Sequence, residues 1–130
     1  MAVESWDPAA TGLQARHRDI LNRAVASLET GSIELNDDEQ AWLRPAMQLD
    51  AAAWQAFSTE HATTTLVAWI KILTLVERDL SGFEAGSRSP VLALLKVLKA
   101  RNEVPPDLFA WIRSHTTNRF LPYGSLADRL

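Results

Sequence analysis

Apolar residues recur at helical spacing along almost the whole chain. Leu13, His17, Ile20, Leu21, Ala24, Val25 and Leu28 fall three or four positions apart, which puts one apolar stripe on a first helix. Asp7-Pro8 offers one start, an N-cap followed by proline, and Thr11 with Gln14 offers a second as a capping box. Gly31 supplies a left-handed stop. A second helix opens at Asn36, with Glu39 three positions on and acids in its first turn that suit the helix dipole. Pro45 removes a backbone donor and crowds the preceding turn, so this helix kinks or ends near Arg44. Asp50 caps a further short run, "AAAWQAF", and a break falls around Ser58 to Ala62.

The strongest pattern covers residues 62–80. Leu66, Trp69, Ile70, Leu73, Val76 and Leu80 mark one face, and Val67, Ile72 and Leu75 carry it most of the way round. Thr64, Lys71 and Arg78 leave a single polar line, so this is the central helix. The β-branched run Thr63–Thr65 suits a helix interior poorly and leaves its start open. "SGFEAGSRSP" reads as a loop, and Ser89-Pro90 starts the next helix with Val91, Leu94, Leu95 and Leu98 inward and Lys96, Lys99 and Arg101 outward. Pro105-Pro106 separates it from a helix on which Leu108, Trp111, Ile112 and His115 share a face. After Asn118 the chain is irregular until Ser125 and Asp128, which are spaced to cap a last turn. No alternating strand pattern occurs. The expectation is an all-α single domain over residues 1–130, a compact bundle of five to six helices with an irregular C-terminal tail packed on it.

Composition narrows the chemistry. A chain of 130 residues with 47% apolar and 22% charged positions is long enough to bury one real core. The lack of cysteine excludes disulfides, zinc–thiolate sites, iron–sulfur clusters and cysteine nucleophiles. The start "MAVESWDPAATG" lacks a signal-peptide pattern, and the longest apolar stretch, Leu66 to Val76, is too short to span a bilayer and is broken by Lys71. A cytoplasmic protein without membrane association is expected. Charge is divided along the chain. Residues 1–85 hold thirteen acids and six bases, net −7, whereas residues 86–130 hold three acids and seven bases, net +4. Two such halves are expected to face each other in the fold.

Catalytic patterns are sought without success. His17, His61 and His115 include no pair four residues apart, so no helical metal pair exists, and neighbouring Glu60-His61 carries no geometry of its own. "RHRD" at Arg16–Asp19 has the letters of a kinase loop but Ala24 where the metal-binding asparagine belongs. "GFEAGSRS" has neither the Gly-Lys-Ser/Thr end of a phosphate loop nor a strand before it. No catalytic, cofactor or metal residue is assigned. Ala-Trp-(Leu/Ile)-(Arg/Lys) recurs at Ala41, Ala68 and Ala110 with unequal spacings of 27 and 42, which marks core tryptophans on amphipathic helices rather than a repeat array.

The tail then carries the interest. With Phe120, Leu121, Pro122, Tyr123, Leu126 and Leu130 the tail is too apolar to float free, so Phe120, Leu121 and Tyr123 dock across the bundle as a strap while Arg119 pairs with the acidic half. Alternatively, Arg113, His115, Asn118, Arg119, Phe120 and Tyr123 form a recognition surface, since Tyr and Arg anchor interfaces. The expected function is a non-enzymatic protein–protein interaction or regulatory module, with a homodimer as one form. Two alternatives stand beside it. One is a nucleic-acid-binding domain using the basic C-terminal helix pair, weakened by the lack of long polar side chains on its second helix. The other is a small-molecule-binding domain with a tryptophan-lined pocket.

Overall fold

The computed structural model describes residues 12–124. Within them six α-helices follow one another: α1 Ala15–Ala24, α2 Asp37–Ala46, α3 Ala51–Ser58, α4 Thr63–Asp79, α5 Pro90–Arg101 and α6 Leu108–His115. Short 3₁₀ turns at Val25–Glu29 and Gly86–Arg88 join them, and no strand occurs among the described residues. The chain is all-helical, with α4 at the centre. α1, α5 and α6 pack on α4, α2 packs on α1, and α3 packs on α5.

Local chemistry explains most of the boundaries. Asn36 Oδ1 accepts from the Glu39 amide at 2.8 Å and Glu39 Oε1 accepts from the Asn36 amide at 2.9 Å, the reciprocal box expected from the spacing. Pro45 sits in the last turn of α2, where the Met47 amide closes the helix on Leu43 and Arg44. Asp50 Oδ1 caps α3 through the Ala53 amide. Asn102, with φ at 59°, ends α5 in the left-handed conformation that asparagine tolerates. α4 begins at Thr63 in spite of its β-branched first turn, because burial of Leu66, Trp69, Ile70, Ile72, Leu73, Leu75 and Val76 outweighs a propensity cost of a few tenths of a kcal/mol per residue.

Some local expectations need correction. The start of α1 is Gln14, and its N3 partner is His17, whose Nδ1 accepts from the Gln14 amide at 2.9 Å. Burial of that ring, edge-on to Trp42 at 5.3 Å, pushes the His17 pKa down against backbone bonds from Trp42 and Gln14 that raise it. Asp7-Pro8 and Thr11 lie outside the described residues, as do Ser125 and Asp128. The segment from Ser81 to Pro90 is the expected loop, with one 3₁₀ turn at Gly86–Arg88, and it buries Phe83 fully, under the Arg44 guanidinium at 4.9 Å. The tryptophans divide as well. Trp54 and Trp69 are fully buried, their indole N–H groups donating to Ala46 O and Asn22 Oδ1 at 2.9 Å, whereas Trp42 and Trp111 are half-buried.

The charge halves do not pair as expected. They touch through neutral groups: Arg101 donates to Thr59 O at 3.1 Å and to Thr63 Oγ1 at 3.2 Å, and Thr63 bonds Glu103. Every ion pair among the described residues stays within the acidic half, namely Arg16–Asp38, Arg18–Asp19, Arg23–Glu39 and Arg78–Asp79. Three of these are at least partly solvated and contribute little. The fourth meets the buried Glu39. Burial pushes that carboxyl up, but the Arg23 guanidinium and the Asn36 amide outweigh it and hold the pKa below the usual range.

Candidate functional site

The chain's last described stretch, residues 116–124, lies over the junction of α4, the Ser81–Pro90 segment and α5. Asn118 is its anchor. The Asn118 amide donates to Thr116 Oγ1, its Oδ1 accepts from the Phe120 amide, and its Nδ2 donates to Gly86 O at 2.9 Å and to Glu77 Oε1 at 3.0 Å. Glu77, 4% exposed, is the inward acid of α4. It also accepts from the Ala85 amide at 3.1 Å and from the Ser89 hydroxyl, which in turn accepts from the Val91 amide as the cap of α5. Burial pushes the Glu77 pKa up; bonds from Ser89, Ala85 and Asn118 pull it back only in part, and Glu84 adds repulsion. One buried carboxylate therefore joins α4, the Ser81–Pro90 segment, the start of α5 and the strap, with no cation beside it among the described residues.

Beyond Asn118 the strap turns its side chains two ways. Leu121, 5% exposed, and Pro122 face the core. Tyr123 faces out, 46% exposed and the exposed large apolar side chain among the described residues. Its hydroxyl accepts from Arg113 Nη1, whose guanidinium lies 5.9 Å from the ring centre. Phe109, one turn before Arg113 on α6, meets the same ring edge-on at 5.5 Å, and Lys99 Nζ of α5 lies 5.5 Å from the Phe109 ring. Lys99, Phe109, Tyr123 and Arg113 thus form a continuous chain over α5, α6 and the strap, with two rings in contact between two cations.

The six sequence-derived residues are accordingly divided. Arg113 and Tyr123 come together on this face. Asn118 is turned inward and serves the fold. His115 stacks on Trp111 at 3.9 Å, its Nδ1 2.7 Å from Trp111 O, and Lys71 Nζ lies over the same indole, 5.3 Å from its centre. The Ala-Trp-Ile-Lys and Ala-Trp-Ile-Arg segments therefore do make a cation–π contact, but between helices α4 and α6 rather than within one. Arg119 lies over its neighbour Phe120 at 4.9 Å, and among the described residues it pairs with no acid, contrary to expectation. Sequence reasoning set Lys99 outward on its helix but assigned neither it nor Phe109 to the surface, and passed over Glu77. The signal for Glu77 was present: an acid four residues after Leu73 and three before Leu80 lies on the apolar stripe of the central helix.

Other chemistry finds little to stand on. No group of three or more His, Cys, Asp or Glu able to hold a metal occurs among the described residues. A cleft of about 490 Å³ runs beside Arg23, Ile33, Leu35 and Glu39, and a dimple of about 30 Å³ lies beside Lys96, Lys99 and Tyr123; neither is lined by a tryptophan. α6 shows Ala110, Arg113 and Ser114 to solvent, a single cation already engaged with Tyr123. Among the described residues no helix is long and apolar enough to cross a membrane. Comparison of the chain with family models, curated proteins and solved structures finds no match.

Proposed function

We propose that this protein is a non-enzymatic interaction module that captures a protein partner on the face built by α5, α6 and the strap. The observation that carries this reading is Tyr123, held outward at 46% exposure by Arg113 and Phe109 instead of folding into the core as Leu121 does. A ring and a guanidinium fixed in place before binding lose little conformational freedom on binding, which is why such pairs serve as interface anchors. A duplex-reading function fits less well, because α6 presents one long polar side chain where a recognition helix needs three or four.

Position-specific photo-crosslinking in cells tests it. A benzoylphenylalanine in place of Tyr123 should give one discrete protein adduct that Arg113→Glu removes. The same group in place of the exposed Asp19 on α1 should give none. Equal adducts from both positions, or none from either, would contradict the reading.

A further inference from the structure

The charge distribution and the relief of this face together identify the chemistry of its partner, on the reading of the face just given. Lys96, Lys99, Arg113 and Arg119 form no ion pair among the described residues, while four of the six cations of the acidic half, Arg16, Arg18, Arg23 and Arg78, do. Lys99, Arg113 and Arg119 lie over rings instead. A ring's quadrupole attracts a cation without cancelling its charge, so the face keeps a net positive field. Among the described residues the same half holds two acids, Glu103, which bonds Thr63 across the α4–α5 contact, and Asp107, which precedes α6, and neither forms an ion pair with these cations. Between the lysines and the strap lies the dimple of about 30 Å³, with Leu92, Leu95 and Pro122 as its apolar lining and Lys96, Lys99 and Tyr123 around it. At about 30 Å³ it is a small hollow in which the tip of one aliphatic side chain can settle.

We propose that the face binds an acidic peptide segment of a partner protein, with carboxylates on Lys96, Lys99 and Arg113 and one aliphatic side-chain tip seated against Leu92, Leu95 and Pro122. Charge complementarity selects this occupant over an apolar helix, which would leave three cations unanswered. It is also preferred to single-stranded nucleic acid, which stacks bases on open ring faces. Phe109 is half-buried, with Lys99 near its ring and Tyr123 against it, so it offers no such platform.

Fluorescence anisotropy of the full chain tests this with a labelled dodecapeptide of Asp and Glu carrying one central Leu. Binding should weaken by about tenfold when that Leu is replaced by Ser, and by about tenfold between about 0.05 and 0.3 M salt. Lys96→Glu with Lys99→Glu should abolish it; Lys96→Gln with Lys99→Gln, which spares the end of α5 an unfavourable charge, should weaken it by more than about tenfold. Helicity measured on the same samples confirms that each variant is folded. Peptide binding indifferent to the lysines would overturn the placement. Equal or tighter binding of an oligothymidine of matched charge would overturn the partner class in favour of nucleic acid. A concentration-dependent dimer dissociated by the lysine variants would give the face to a second copy of the chain. Absence of peptide binding alongside a persistent crosslink at position 123 would overturn the acidic chemistry and leave the interaction module standing.

Discussion

Replacing Asn118 and Leu121 together by alanine should lower the thermal midpoint by about 15 °C. Leu121 is 5% exposed, and trimming a buried leucine costs about 2–3 kcal/mol where its surroundings can close on the space left. Asn118 contributes by what it leaves behind. Without its Nδ2, both Glu77 Oε1 and Gly86 O lose a donor in a place water reaches poorly, and an orphaned buried group costs about 1–3 kcal/mol. The two positions lie three residues apart on one strap, so their losses are expected to couple rather than simply add. A chain ending at Thr117 should melt at least as early. An unchanged midpoint in the double variant would show that the strap lies on the bundle without holding it.

Glu77 should give the second large effect, and one with a pH signature. Glu77→Ala removes the acceptor from Ala85, Ser89 and Asn118 at once, for an expected loss of about 3–5 kcal/mol. Glu77→Gln keeps an oxygen for Ala85 and Asn118, turns its amide to the Ser89 hydroxyl and removes a buried charge that has no cation beside it. At neutral pH that variant should match or exceed the wild type, since an unpaired buried carboxylate is a cost. Burial holds the folded pKa of Glu77 above its ordinary value of 4.5. Between those two values the folded chain holds a proton that the unfolded chain has released. The contribution of Glu77 is therefore greatest below the unfolded pKa and is lost as pH rises through the folded one. Chemical denaturation of both chains across this window should show the wild type gaining on Glu77→Gln as pH falls. Parallel curves would mean that Glu77 titrates as an ordinary carboxylate.

The helices were legible because their signals are local. Asn36 with Glu39, Asp50 and Ser89-Pro90 announce caps, and the residues from Leu66 to Val76 announce a helix buried on nearly all sides. What the sequence hid depends on pairs distant along the chain. Nothing near Asn118 points to Glu77, forty-one residues earlier, and polar residues in a tail read equally well as anchor or as surface. The same limit broke the charge argument. Net charge of the two halves suggested attraction, but side chains pair by reach and geometry: the ion pairs formed at short range within the acidic half, while Lys99, Arg113 and Arg119 lay over rings and Arg101 bonded a backbone oxygen. Arg113 and Tyr123 were legible as residue types. Lys99 and Phe109 joined them only because α5 and α6 both pack on α4 and bring one edge of each together under the strap.

A strap whose inner residues hold the fold and whose outer residues meet a partner makes a separable prediction. Arg113→Ala with Tyr123→Ala should therefore be measured for thermal midpoint and for binding of the leucine-bearing acidic peptide on the same sample. An exposed pair of this kind contributes little to stability, so the midpoint should stay within about 3 °C of the wild type while peptide binding is lost. A midpoint that falls as far as that of the Asn118 and Leu121 variant, or peptide binding that survives intact, would contradict the division of the strap into an inner and an outer side.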